Sequence, residues 1–174
     1  ATAGTGYLDP KFSYNISEAQ RLGIFVGVYH YSYAKTAEEA AAEAKFLLKV
    51  ISPYKLSFPV AYDIEDACQN ALNRQQKTDL ICAFCEEIER SGYYAVVYSM
   101  LYWFKTAFDA KRLERYDKWV AQWSSKCSCT EPYGMWQYSN KGRISGISTN
   151  VDLDIAYKNY PAIIEKMQQR IVRK

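Results

Sequence analysis

Short apolar segments rich in Val, Ile and Tyr alternate with longer segments of helical period along this chain. That alternation predicts βα units arranged on a parallel sheet. Strands are predicted at Phe25–Ser32, Pro59–Ile64, Ala95–Tyr98, Lys118–Gln122, Gly134–Tyr138 and Val151–Ile155. Between the first two lies Thr36-Ala-Glu-Glu39, where Thr36 can cap a helix and Glu39 can reach back to its amide, followed by an alanine-rich run to Val50. Arg74–Arg90 carries Leu80, Ile81, Phe84 and Ile88 at helical spacing and ends at Ser91-Gly92, where glycine suits the left-handed position that closes a helix. Shorter helices are predicted at Ile16–Leu22, stopped by Gly23, at Met100–Phe108 and at Pro161–Arg173. After Lys118 strand candidates follow one another without helices between them, so the fold should end in a β-rich section.

Composition narrows the class. With 174 residues, 49% apolar and 24% charged, the chain can bury one sizeable core, and a single domain is expected. Its apolar runs, such as Ile24–Val28 and Tyr93–Tyr98, fall well short of the roughly 20 residues that cross a bilayer, so no membrane span is expected. The net charge of +3 is too small and too scattered to argue for nucleic acid. Five cysteines form an odd set in which Cys82 and Cys85, one helical turn apart, make a lone C-x2-C pair, and the only histidine, His30, is distant in sequence from every one of them. Neither a disulfide framework nor a metal site is expected, and buried free thiols are the simpler reading. Sixteen tyrosines and four tryptophans supply flat rings that fill a core or carry a sugar face equally well.

The segment Phe58-Pro-Val-Ala-Tyr-Asp-Ile-Glu-Asp66 reads as a buried strand ending in three carboxylates. Residues two apart on a strand point to one side, so Asp63 and Glu65 should project together while Ile64 faces the other layer. In βα architectures the C-terminal strand ends build the active site. Two carboxylates there lose solvation and repel each other, which raises the pKa of one and suits it to general acid catalysis on a glycosidic bond. A helix start or turn decorated with acids is the competing reading, and Asp66 fits it. Two strand steps, roughly 6.6 Å, span both the retaining and the inverting range of carboxylate separations.

Several segments in order resemble glycoside hydrolase family 25, the muramidases. They are Gly6-Tyr-Leu-Asp-Pro-Lys-Phe12 with Asn15, Gly23-Ile-Phe-Val-Gly-Val-Tyr-His-Tyr31, Pro59-Val-Ala-Tyr-Asp-Ile-Glu65, Val97-Tyr-Ser99, Trp119-Val-Ala-Gln-Trp123, and Met135-Trp-Gln-Tyr-Ser139 leading to Gly146-Ile-Ser-Thr-Asn-Val-Asp152. The resemblance implies a TIM-like (β/α) barrel and cleavage of the β-1,4 bond between N-acetylmuramic acid and N-acetylglucosamine in peptidoglycan. It implies Glu65 as general acid, Asp63 as its partner at the substrate's N-acetyl group, and Asp152 as a further catalytic acid, with Asp154 a solvent or cap residue. Tyr62, Tyr98, Trp123 and Gln137 match groove-lining positions, and Tyr31 joins them as a substrate contact. His30 has two readings: a structural place facing the barrel interior, bonded to a neighbour, and a substrate contact. No cofactor is implied. The partner is the bacterial wall glycan, and action is expected outside the cell or at the wall.

The family begins with an Asp-Val-Ser strand, a helix and a second strand, and here only Ala1-Thr-Ala-Gly4 resembles the end of that second strand. The barrel is therefore expected to be incomplete or open, with an exposed sheet edge through which two copies could pair. Turnover is expected below that of a complete member. The alternative function is a glycan-binding module that keeps the groove and has lost catalysis.

Overall fold

A computed structural model describes residues 1–172. One eight-stranded sheet organises the chain, built from β1 (Thr2–Ala3), β2 (Tyr7–Leu8), β3 (Val28–Tyr31), β4 (Val60–Asp63), β5 (Ala95–Met100), β6 (Asp117–Ala121), β7 (Met135–Gly142) and β8 (Val151–Ala156). The strand order is β2-β1-β3-β4-β5-β6-β7-β8, with β2 and β8 as unpaired edges, so hydrogen bonds do not close the sheet into a barrel. Strands β1 and β3 to β7 run parallel, while β2 and β8 are antiparallel to their neighbours. The predicted β-rich end is this β6-β7-β8 section.

Helices α1 (Phe12–Arg21), α2 (Ala37–Ile51), α3 (Arg74–Arg90), α4 (Leu101–Thr106) and α5 (Tyr160–Val172) complete the fold. Among the described residues none is long and apolar enough to cross a membrane. Thr36 caps α2, its hydroxyl accepting from the Glu39 amide at 3.2 Å, while Glu39 returns to the Lys35 amide at 2.7 Å, one residue before the expected position. Helix α3 has the predicted bounds and adds a reciprocal Asn73–Gln76 capping box; Gly92 closes it at φ +83°. The predicted end of the last helix at Arg173 lies outside the described residues.

Two predictions shift at their starts by three residues or more, and β7 runs four residues past the predicted Tyr138. Helix α1 begins at Phe12, not Ile16, because the Asp9 carboxylate accepts from the Lys11 amide and the Asp9 carbonyl from the Phe12 amide, which starts the turn early. Strand β3 covers only Val28–Tyr31 of the predicted Phe25–Ser32. The reason lies in Val26, whose amide is taken by the Ser57 hydroxyl and whose carbonyl accepts from the Ser57 and Phe58 amides, so a loop replaces the ladder there. The two-residue strand β1 falls within Ala1–Gly4, the segment that resembles the end of a strand, whereas β2 was not predicted.

One face of the sheet carries Val60, Tyr62, Ile64 and Val97, packed with Leu47 of α2 and Phe84, Ile81 and Ile88 of α3. Each such side chain contributes about 1.5–3 kcal/mol on burial, so this layer is the main core. The other face holds Ala61, Val96, Tyr98, Ala121 and Met135, with Tyr160 and Ile164 of α5 packed beneath them. Cys85 is buried, but Cys68, Cys82, Cys127 and Cys129 are only half-buried; all five are free thiols.

Candidate active site

Strand β4 is buried on both faces and ends in the acidic segment. Register pairs Tyr31 with Asp63 and Asp63 with Tyr98 across β3, β4 and β5, and Tyr98 with Trp119 on β6. Residues of one parity thus converge on the second face, forming a cleft of about 260 Å³. Its floor and walls are Asp63, Glu65 and Asp152 with Tyr29, Tyr31, Tyr98, Trp119 and Gln137. Asp63 and Glu65 lie together while Ile64 faces the helices, as the alternation requires.

The carboxylates sit in a lining without Lys or Arg. Asp63 is 6% exposed, and its Oδ1 has no hydrogen-bond partner. Burial, then the negative charge of Glu65, push its pKa up to about 8. Glu65, half-buried, is raised by burial first, then by Asp152 and Asp66. Asp66 caps the short turn Ala67–Gln69 and accepts from the Cys68 amide at 2.8 Å, which, with the Tyr31 hydroxyl at 3.1 Å, holds it low. Asp66 is thereby the ordinary turn acid of the three.

Aromatic groups frame the pair. The Tyr98 hydroxyl and the Trp123 indole both donate to Gln137 Oε1, at 3.1 and 2.9 Å. Tyr98 meets Trp119 edge to face at 4.9 Å between centroids. Trp123 is 50% exposed at the end of β6, so it forms a rim and not the floor. Below this cleft a more apolar hollow of about 380 Å³ runs between Phe25, Phe58, Met135 and Ala156.

Tyr62 and His30 are corrections. Both have the opposite parity, face α2 and α3, and are fully buried, so neither lines the cleft. Tyr62 stacks on Phe84 at 4.3 Å; His30 packs on Phe84 and bonds through Nδ1 to the Thr2 hydroxyl at 2.8 Å. His30 has a structural place, but on the helix side of the sheet. Two residues were missed, Tyr29 and Trp119, which wall the cleft; Asp154 is exposed, as expected, and accepts from the Trp119 indole at 2.8 Å. Asp154 stands open along the seam yet against the apolar hollow, and that desolvation pushes it up to about 6 despite the Trp119 bond. The period-two alternation pairs Tyr29 with Tyr31, whereas Trp119 has no expected site residue two positions away.

Desolvated carboxylates at the C-terminal ends of a parallel sheet, walled by tyrosine and tryptophan, supply the parts of acid-assisted glycoside chemistry. A model of glycosyl hydrolases family 25 matches residues 1–147, and the chain belongs to that family. It is 28% identical over 167 residues to lysozyme M1 of Streptomyces globisporus, covering 87% of this chain and 56% of that protein. The solved CTP1L endolysin superposes with a TM-score of 0.82 at 26% identity, over 95% of this chain and 59% of its own. The autolysin LytC of Streptococcus pneumoniae, solved with a synthetic peptidoglycan ligand, gives 0.78 at 27% identity over 88% and 38%. The chain spans about half the length of the curated relatives it matches.

Proposed function

We propose that this chain is a peptidoglycan hydrolase that cleaves the β-1,4 bond between N-acetylmuramic acid and N-acetylglucosamine, acting on the wall from outside the cell. The observation that carries the reading is the desolvated pair Asp63 and Glu65 in one aromatic-walled cleft. Relatives named as lysozyme, endolysin and autolysin support the substrate class. In this reading the described residues act as one glycoside hydrolase domain, and no second copy is needed to build the cleft.

Burial and the charge of Glu65 keep a proton on Asp63 up to about pH 8, and burial with the charges of Asp152 and Asp66 raises Glu65 as well, so that the pair shares a transferable proton. Glu65 is the more exposed member and reaches the leaving oxygen, to which it passes the proton as the glycosidic bond breaks. The pair then carries negative charge opposite the positive charge that develops at the anomeric carbon. Asp63 holds the acetamido group so that its carbonyl oxygen attacks that carbon. Asp152 raises the proton affinity of Glu65 by its charge. Tyr31 and Tyr98 offer hydroxyls to the sugar, and Trp123 gives it an apolar face at the rim.

Digested peptidoglycan reduced with borohydride tests the reading. Reduced muramic acid is the expected product; reduced glucosamine would assign the other bond. Wall binding without any new reducing end would make the chain a binding module. Normal turnover of a substrate lacking the acetyl group at the cleaved sugar would remove the acetamido step.

A further inference from the structure

Behind the carboxylate strand, on the helix side, lies a polar cluster that the cleft chemistry does not use. Glu43 of α2 is 2% exposed. Its Oε1 accepts from the Tyr33 amide at 2.9 Å and its Oε2 from the Ser32 hydroxyl at 2.7 Å. His30 Nε2 stands 3.4 Å from the same Oε2. With its one proton committed to Glu43, the Ser32 oxygen accepts from the Tyr62 hydroxyl at 2.7 Å and the Ala34 amide at 3.1 Å, with Gln69 Nε2 beside it at 3.3 Å. Gln69 also bonds the carbonyls of Ser32 and Ala34, which ties the turn after Glu65 to the end of β3.

A carboxylate in an apolar layer is costly, and well-packed apolar residues commonly stabilise such a layer as well or better. Core stability alone therefore gives no reason for Glu43. Its contacts give another. The Ser32 amide donates to the Asp63 carbonyl at 3.0 Å, and Tyr31, one residue earlier, walls the cleft. From the other side the Ser99 hydroxyl donates to the Ile64 carbonyl at 2.6 Å, so the strand end is clamped between β3 and β5. Glu43 is the group that fixes the β3 half of that clamp.

We propose that Glu43 is a positioning residue: by holding Ser32 and Tyr33 it sets the end of β3, and through the Ser32–Asp63 and Ser32–Tyr62 bonds it keeps Asp63 and Glu65 desolvated in the cleft. The catalytic half of this statement rests on the hydrolase reading above; the geometric half does not. A merely structural Glu43 would change melting temperature and nothing in the cleft.

Carboxyl ¹³C NMR titration of Asp63 reads the geometry, and reducing-end release per folded molecule reads its consequence. Glu43→Ala should lower the Asp63 midpoint from about 8 by one unit or more, and reduce kcat about tenfold or more with KM within threefold. Glu43→Gln keeps the shape and can still accept from the Tyr33 amide, so it should stay within half a unit and threefold. Leu47→Ala, one turn further along α2 and fully buried, should lose melting temperature while moving neither readout. Should Glu43→Ala fail to fold, Ser32→Ala reads the same midpoint and should lower it. The proposal is overturned if the folded Ala variants at 43 or 32 leave Asp63 unmoved. It is equally overturned if Glu43→Gln moves it as far as Glu43→Ala, since charge and not position would then be acting. A wild type that releases no reducing ends defeats the hydrolase reading alone, because the titration still decides the role of Glu43.

Discussion

The two faces of β4 differ in one step of the chain. Tyr62 and Ile64 face the helices, where the one phenol donates to Ser32 and the one alkyl group is fully buried in the core. Asp63 and Glu65 face the cleft, where an unpartnered carboxylate oxygen is buried among aromatic rings and other acids. Within the carboxylate strand the helix-facing hydroxyl is satisfied, whereas the cleft-facing Asp63 is not. Packing on the first side stabilises the fold, and that surplus holds in place a second side that would relax if left to itself.

Substitutions on the two faces should therefore fail in different ways. The largest effect is expected at Glu65→Gln, which removes the transferable proton: reducing-end release should fall by about 10²–10⁴-fold while wall pelleting is retained. Pelleting lost together with turnover would mean that Glu65 binds and does not donate. Ile64→Ala, on the opposite face of the same strand, should destabilise by about 2–5 kcal/mol, read as the loss in melting temperature, with kcat per folded molecule within a few-fold. A kcat loss as deep as that of Glu65→Gln would erase the distinction between the faces.

Asp63→Asn tests the cost of the unsatisfied side. The folded-state pKa of Asp63 is raised, to about 8 from an ordinary 3.8, so the folded protein holds a proton that the unfolded chain releases. Stability from this group is present below pH 4 and is lost as pH rises through about 8. The asparagine variant should thus melt higher than wild type above pH 8, by the equivalent of up to about 6 kcal/mol, and equally with it near pH 4. A variant that melts lower at pH 9 would show Asp63 to be paired in solution. The smallest effect is expected at Trp123→Phe on the exposed rim. Loss of its indole bond to Gln137 should weaken glycan affinity a few-fold, measured by titration calorimetry, with stability within about 0.5 kcal/mol.

The strand-end carboxylates and the long helices were legible because each follows a strong period: two for Asp63 and Glu65, 3.6 for α2 and α3. The misplacement of Tyr62 is instructive for the same reason. Alternation sets it beside Ile64 and opposite Asp63, but resemblance to groove-lining positions outweighed that rule. His30 flanks Tyr29 and Tyr31 in the same way. Strands β1 and β2 have two residues each, too few to show any period, and the loop at Val26 arises from a serine hydroxyl 31 residues away. The Glu43 cluster is likewise a product of tertiary packing, since a glutamate inside an alanine-rich helix reads as solvent-facing until α2 is laid on the sheet.

The measurement that bears most directly on the shared cleft is the pH dependence of kcat/KM for reducing-end release, which reports the free protein's acid. With Asp63 titrating near 8 and Glu65 raised by burial and its acidic neighbours, an alkaline limb above the ordinary carboxylate range is expected, flattened to baseline in Glu65→Gln. Full activity sustained to pH 9.5, or a limb that persists unchanged without the Glu65 carboxylate, would contradict the account.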